Sequence, residues 1–241
     1  MKRSCPYPCY RKNISLPASL KKKRHNLRLV CFDMDGVLLD TVSSWKYIHE
    51  HFHTTNQRSI MPYLRGDIDY LEFIRRDVSL WTDHGQLVKK ETIQNILYTI
   101  PVLQGAQDCI TFLKNHGVYT AIISAGLDIL ADKISEDLGI DYAFANQVKA
   151  DTDGRLTGEG VLKVELMHKD HIVKTLAQQL NITQEACAAV GNSCFDLPML
   201  ETCGLGIAFN PEDDCVRKYA DVVVEGKDLR ALIPIFQTLV S

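Results

Sequence analysis

Two aspartates one residue apart close an apolar run in Val30-Cys31-Phe32-Asp33-Met34-Asp35-Gly36-Val37-Leu38. A short run of this kind predicts a buried strand of a parallel sheet. Asp33 and Asp35 then fall at its carboxyl end, the edge at which open α/β sheets bind ligands. Carboxylates crowded there repel each other unless a proton or a cation lies between them. One chemistry that fits is a nucleophile and a general acid beside a hard metal ion. The same residues also fit a strand followed by an acidic turn, because Asp and Gly are common turn formers.

Three further points could join them. Ser124-Ala125-Gly126 closes a second apolar run, Lys169 opens an amphipathic stretch, and Asn192 and Asp196 follow a third apolar run. Each has a plainer reading on its own: a strand-to-helix turn with a cap, a surface lysine, a pair of loop residues. Their joint occurrence in this order favours a common pocket, since the strand ends of a parallel sheet share one edge.

The elements that must position them alternate. After Asp35 the chain is rich in Trp, Tyr, His and charged residues, with apolar groups at helical spacing such as Trp45, Ile48 and Phe52. This predicts a small helical insertion over residues 40–101. Ala106 to Asn115 reads as a helix, Val118 to Ile123 as a strand, Leu127 to Leu138 as a helix and Tyr142 to Val148 as a strand. Asp153-Gly154 predicts a hairpin turn. His168 to Leu180 is an amphipathic helix, and Ala186 to Val190, Leu205 to Phe209 and Val222 to Val224 are short strands. Leu229 to Leu239 reads as a closing helix. The expected fold is α/β: a Rossmann-like parallel sheet with helices on both faces, plus a small helical cap inserted after the first strand. The expected organisation is a basic, disordered tail over 1–27, a catalytic core over 28–39 and 102–241, and the cap between.

The chain has 241 residues, 46% of them hydrophobic and 24% charged, which suits a globular core of ordinary composition. No apolar run is long enough to span a bilayer. The net charge of -3 hides an asymmetry, because residues 1–28 hold nine Lys/Arg and no acid. Lys21-Lys22-Lys23-Arg24 could touch an anionic surface, but a solvated tail is the simpler reading and nucleic acid is not the expected partner. Cys5 and Cys9 offer half of a metal site with no matching second pair, and the other six cysteines lie mostly in apolar runs. That usage points to a reduced, cytoplasmic setting.

The order Asp33-x-Asp35, Ser124, Lys169, Gly191-Asn192-x-x-x-Asp196 resembles the haloacid dehalogenase-like hydrolases, and within them the phosphoserine phosphatase-like group. Arg76-Asp77-Val78-Ser79-Leu80, Asp141-Tyr142-Ala143-Phe144-Ala145-Asn146, Asp153-Gly154-Arg155-Leu156-Thr157-Gly158 and Leu197-Pro198-Met199-Leu200 are similar to that group as well. The resemblance runs from about Leu27 to Leu239. It implies a Mg²⁺-dependent phosphomonoester hydrolase acting on a small molecule. Asp33 would form an aspartyl-phosphate and Asp35 would act as general acid and then base. Ser124, Ala125 and Lys169 would bind the phosphoryl group. Asp33, Asp35 and Asn192 would hold Mg²⁺, with Asp196 orienting its waters.

Two departures from the group stand out. Asn192 occupies a position where the family usually has Asp, which predicts weaker Mg²⁺ binding because a neutral oxygen replaces an anionic one. Val42 and Asp77 occupy the positions of the glutamate and arginine that read the amino acid in phosphoserine phosphatases, which puts phosphoserine in doubt as substrate. Arg75 or Arg76 could substitute if the register slips. Gly36 stands where the group usually has Ser or Thr. The competing expectations are a phosphotransferase or mutase using the same intermediate, and a catalytically silent binding module. The sequence leaves the oligomeric state and the physiological substrate open.

Overall fold

The computed structural model describes residues 26–240, so the basic tail and its Cys5 and Cys9 lie outside the described residues. The chain enters through β1 (Leu29–Phe32) and then leaves the sheet for α1 (Ser44–His51), α2 (Gln57–Arg65) and α3 (Tyr70–Val78). A two-stranded antiparallel ribbon, β2 (Thr82–Asp83) with β3 (Gln86–Leu87), precedes α4 (Lys90–Leu97). The helical spacing of the apolar residues accounts for the four helices. The ribbon escapes that reading because each strand is only two residues long.

The main sheet is built from β1, β4 (Tyr119–Leu127), β5 (Tyr142–Ala150), β6 (Leu156–Val161), β7 (Cys187–Gly191), β8 (Leu205–Phe209) and β9 (Val222–Val224). Its order is β6-β5-β4-β1-β7-β8-β9, with every neighbouring pair parallel except β5 and β6. The antiparallel edge follows from the turn at Asp153-Gly154, where Gly154 takes φ +80°. The expected hairpin is therefore part of the main sheet, and β6 packs against α3 of the insertion.

Helices α5 (Ala106–Asn115), α6 (Asp128–Leu138), α7 (Asp170–Gln179), α8 (Leu197–Thr202), α9 (Asp214–Tyr219) and α10 (Ile233–Gln237) complete the chain. Side chains of a strand alternate between faces, and β1 shows the consequence. Val30 and Phe32 enter one buried apolar cluster with residues of α5 and α6, while Leu29 and Cys31 enter another with residues of α7 and α8. The expected closing helix is divided into a 3-10 turn over Leu229–Leu232 and the short α10, where Pro234 sits in the first turn. No described helix is long and apolar enough to cross a membrane.

Candidate active site

The site forms where β1, β4 and β7 end side by side. Asp33 follows β1 and its N–H donates to the carbonyl of Val190 at 2.9 Å, which ties the end of β1 to β7. Ser124 and Ala125 lie inside β4, which runs on to Leu127 instead of stopping at Ile123. A register shift against β5 between Ile123 and Leu127 marks the place. Lys169 immediately precedes α7. Asn192 and Asp196 follow β7, and Gly191 lets them approach, since a Cβ there would lie 2.3 Å from Asp196 Cβ.

Residues 136 positions apart meet at the centre: Lys169 Nζ donates to Asp33 Oδ1 at 2.8 Å, and also to Asp196 Oδ1 at 2.6 Å. Asp196 Oδ2 accepts from the Asn192 and Ser193 N–H groups at 2.9 and 3.0 Å and from Ser193 Oγ at 3.2 Å. Asp196 is thus a brace that fixes the loop after β7 and the lysine together. Asp35 Oδ2 accepts from both the N–H and the hydroxyl of Ser44, at 2.7 and 2.8 Å, while its Oδ1 is buried with no hydrogen-bond partner among the described residues. Ser124 Oγ accepts from the Gly126 N–H at 3.0 Å. A Cβ on Gly126 would stand 2.7 Å from Ser44 Oγ, 3.0 Å from Met34 Cε and 3.1 Å from Ser124 Oγ, so both hydroxyls and the loop after β1 crowd one spot.

Two buried carboxylates, Asp33 and Asp196, face one ammonium here, with the half-buried Asp35 nearby. Burial pushes the Asp33 carboxyl up to about 7, helped by the negative charge of Asp196 and then opposed by Lys169. Burial likewise raises Asp35, against the lowering effect of its bonds from Ser44. Burial pulls Lys169 down, but the Asp196 and Asp33 carboxylates outweigh it and hold the ammonium above its ordinary value. The surplus of negative charge and the all-oxygen donor set suit a hard divalent cation such as Mg²⁺. Asp33, Asp35 and Asn192 are the residues able to offer those oxygens.

Besides the bonds from Ser44 to Asp35, the insertion reaches the site through the carbonyl of Ala125. Ala125 O accepts from Tyr70 Oη at 2.5 Å, Trp45 Nε1 at 3.2 Å and Asn146 Nδ2 at 3.3 Å. Val42 is 57% exposed, whereas Asp77 is completely buried inside the insertion. Asp77 accepts from Ser59 Oγ and is hydrogen-bonded at 3.1 Å to His49 Nε2. Trp81 Nε1 donates to His49 Nδ1, which therefore accepts, leaving Nε2 to carry the proton toward Asp77. Arg75 and Arg76 both pair with Glu72 on the exposed face of α3. A groove of about 510 Å³ between α1 and α4, lined by Tyr47, Glu50, His51, Thr92, Asn95, Ile96 and Thr99, holds none of these residues.

Ser44, Tyr70 and Asp213 are parts of the arrangement that the sequence does not single out, whereas Asn146 ends one of the stretches that carry the resemblance. Ser43-Ser44 before an apolar helical pattern was the available signal for Ser44, since Ser43 Oγ accepts from the Lys46 N–H as the cap of α1. Asp213 Oδ2 accepts from the Cys194 N–H at 2.6 Å and so fixes the loop that carries Asn192. Nothing in the local sequence around Asp213 signals that contact.

The sequence matches the haloacid dehalogenase-like hydrolase family over residues 27–204. It is 32% identical over 222 residues to the phosphoserine phosphatase of Methanocaldococcus jannaschii, covering 89% of this chain and 98% of that protein. A structure described as a phospho-aspartyl intermediate analogue of phosphoserine phosphatase superposes with a TM-score of 0.73 at 30% identity, covering 88% of this chain and 99% of the other. A substrate-bound phosphoserine phosphatase complex gives 0.72 at 29% identity, covering 88% and 99%. The chain belongs to the haloacid dehalogenase-like hydrolases, in their phosphoserine phosphatase-like group. It is a phosphatase, and that reading holds over the mutase and the silent module.

Proposed function

We propose that this phosphatase is a Mg²⁺-dependent phosphomonoesterase that works through an aspartyl-phosphate on Asp33. A carboxylate oxygen of Asp33 attacks phosphorus and the ester P–O bond breaks. Asp35 gives its proton to the departing oxygen, then takes a proton from the water that attacks the acyl phosphate. Inorganic phosphate leaves and the Asp33 carboxylate is restored. Lys169, the Ser124 hydroxyl and the Ala125 N–H hold the phosphoryl oxygens. Mg²⁺ would be held by the Asp33 carboxylate, the Asp35 carbonyl and Asn192 Oδ1, with Asp196 braced behind them. When bound, it supplies positive charge against the phosphoryl oxygens, and charge neutralisation with positioning is most of what this reaction needs.

The observation that carries this reading is the partnerless Asp35 Oδ1, buried two residues from an aspartate pinned by Lys169. A buried carboxyl oxygen without a partner costs stability, so its retention fits an atom reserved for a proton in transit. The relatives named above carry phosphoserine in their names. For this chain we propose a different small phosphomonoester, because Val42 offers no carboxylate and the Asp77 carboxylate is committed to His49 and Ser59. The inserted helices serve as the cap that shields the site from water.

The test is hydrolysis of a panel of metabolite phosphomonoesters, phosphoserine included, with Mg²⁺ and with chelator. Asp33→Asn is expected to abolish turnover of p-nitrophenyl phosphate and trapping of BeF₃⁻. Activity surviving in Asp33→Asn sinks the mechanism. Phosphoserine emerging as the best substrate sinks only the proposed specificity.

A further inference from the structure

Asn192 raises a problem that an aspartate would not. Its two terminal atoms are nearly the same size, but only the oxygen can bind a cation. Something must decide which atom faces inward. The surroundings of Gly36 bear on the choice: a Cβ built there would stand 2.0 Å from Asn192 Nδ2 and 3.0 Å from its Cγ, and the next nearest atom is Glu212 Oε1 at 3.6 Å. The amide nitrogen, rather than Oδ1, therefore lies against Gly36, and Glu212 Oε1 borders the same space. Gly36, at φ +76°, leaves this space open, whereas any side chain would occupy the position of the nitrogen.

Glu212 is fixed in place by the backbone. Its N–H donates to the Asn192 carbonyl at 2.8 Å, and the next residue, Asp213, accepts from the Cys194 N–H. Two bonds thus stitch the loop after β8 to the loop after β7, with Glu212 beside Asn192. The Glu212 side chain is exposed while Asn192 is buried, so the glutamate sits at the rim of the site.

We propose that Glu212 is the positioning residue for Asn192: its carboxylate accepts from Nδ2, and so presents Oδ1 to the cation. A carboxylate can only accept, so it selects the amide nitrogen. The same contact draws electron density toward Oδ1, which makes a neutral oxygen a better ligand. Gly36, Asn192 and Glu212 then form one matched set. With aspartate at 192 there is no orientation to select, because both terminal atoms are oxygens, and Glu212 would face a like charge.

This rests on the Mg²⁺ site proposed above, and the test separates the two. Mg²⁺ affinity is measured by calorimetry on the full chain for four proteins: unaltered, Glu212→Leu, Asn192→Asp and the double variant. Leucine fills similar space without an acceptor and the position is exposed, so the fold is retained. Glu212→Leu is expected to weaken Mg²⁺ binding on the order of tenfold when residue 192 is Asn, and by less than about twofold when it is Asp. An equal loss in both backgrounds would mean that Glu212 acts only as a distant charge, and no loss in the Asn background would mean that it does not act at all; either overturns the proposal. Absence of Mg²⁺ binding in all four proteins removes the metal site itself and this inference with it.

Discussion

The Asp35 carboxylate is held by Ser44, which gives it both a backbone and a hydroxyl donor. The pair fixes one carboxyl oxygen and leaves the other open for the proton transfer proposed above. Ser44→Ala keeps the backbone bond and removes the hydroxyl, so the carboxyl keeps its place but loses orientation. A loss of about tenfold in kcat is expected for an alkyl phosphate, a fraction of what general acid catalysis supplies. Much less is expected for p-nitrophenyl phosphate, whose leaving group needs little protonation. Steady-state kinetics on the two substrates checks this, and equal losses on both would detach Ser44 from the acid step. Lys169 shows a different kind of economy. One ammonium satisfies carboxylates from two loops, which explains how Asp33 and Asp196 can be buried together.

Among the elements, the inserted helices are organised by a buried polar cluster in an aromatic setting. Trp45 meets Phe73 edge-on and Trp81 at a tilt, with ring centroids 5.3 Å apart in each case, and His49 lies 5.5 Å from Trp81. Inside it, Asp77 joins α3 to His49 of α1 and Ser59 of α2. Truncating Asp77 to alanine would strand buried donors on two other helices. The expected cost is about 3 kcal/mol, read as a lower urea midpoint with an unchanged slope. Restoring phosphoserine recognition with Asp77→Arg is not expected, because the new cation would have to displace that network. The insertion also touches the chemistry, since Tyr70 and Trp45 both donate to the carbonyl of Ala125. The packing of these helices and the placement of Ala125 are thereby linked.

For the molecule as a whole, the site is a concentration of like charge at the edge of a well-packed sheet, and a bound cation should show in global stability. A ligand that binds only the folded state at a hundred times its Kd adds about 2.7 kcal/mol. For a chain of this length that corresponds to a rise in Tm of roughly 5–10 °C. Thermal unfolding with Mg²⁺ against chelator measures it, and Asp33→Ala is expected to remove most of the shift. A rise that persists in Asp33→Ala would place the cation elsewhere.

Periodicity and turn residues were enough to reveal the alternation of strands and helices, because apolar patterning and Gly, Pro and Asp signals are local properties of the chain. The same holds for Asp33, Asp35, Ser124, Lys169, Asn192 and Asp196 as candidates, since each follows or precedes a recognisable element. What those residues do to one another was not legible. The bridging of Asp33 and Asp196 by Lys169 depends on the register of β1, β4 and β7, which brings together loops more than a hundred residues apart. The burial of Asp77 depends on how three helices pack, so a residue that looked like a charge facing substrate is instead part of the helical core. The ribbon of β2 and β3 was too short to leave a pattern. Sequence by itself determined which groups could react; only the tertiary structure decided which of them share a hydrogen bond or a lysine, because those partnerships are set by distances of about 3 Å between segments that no local rule connects.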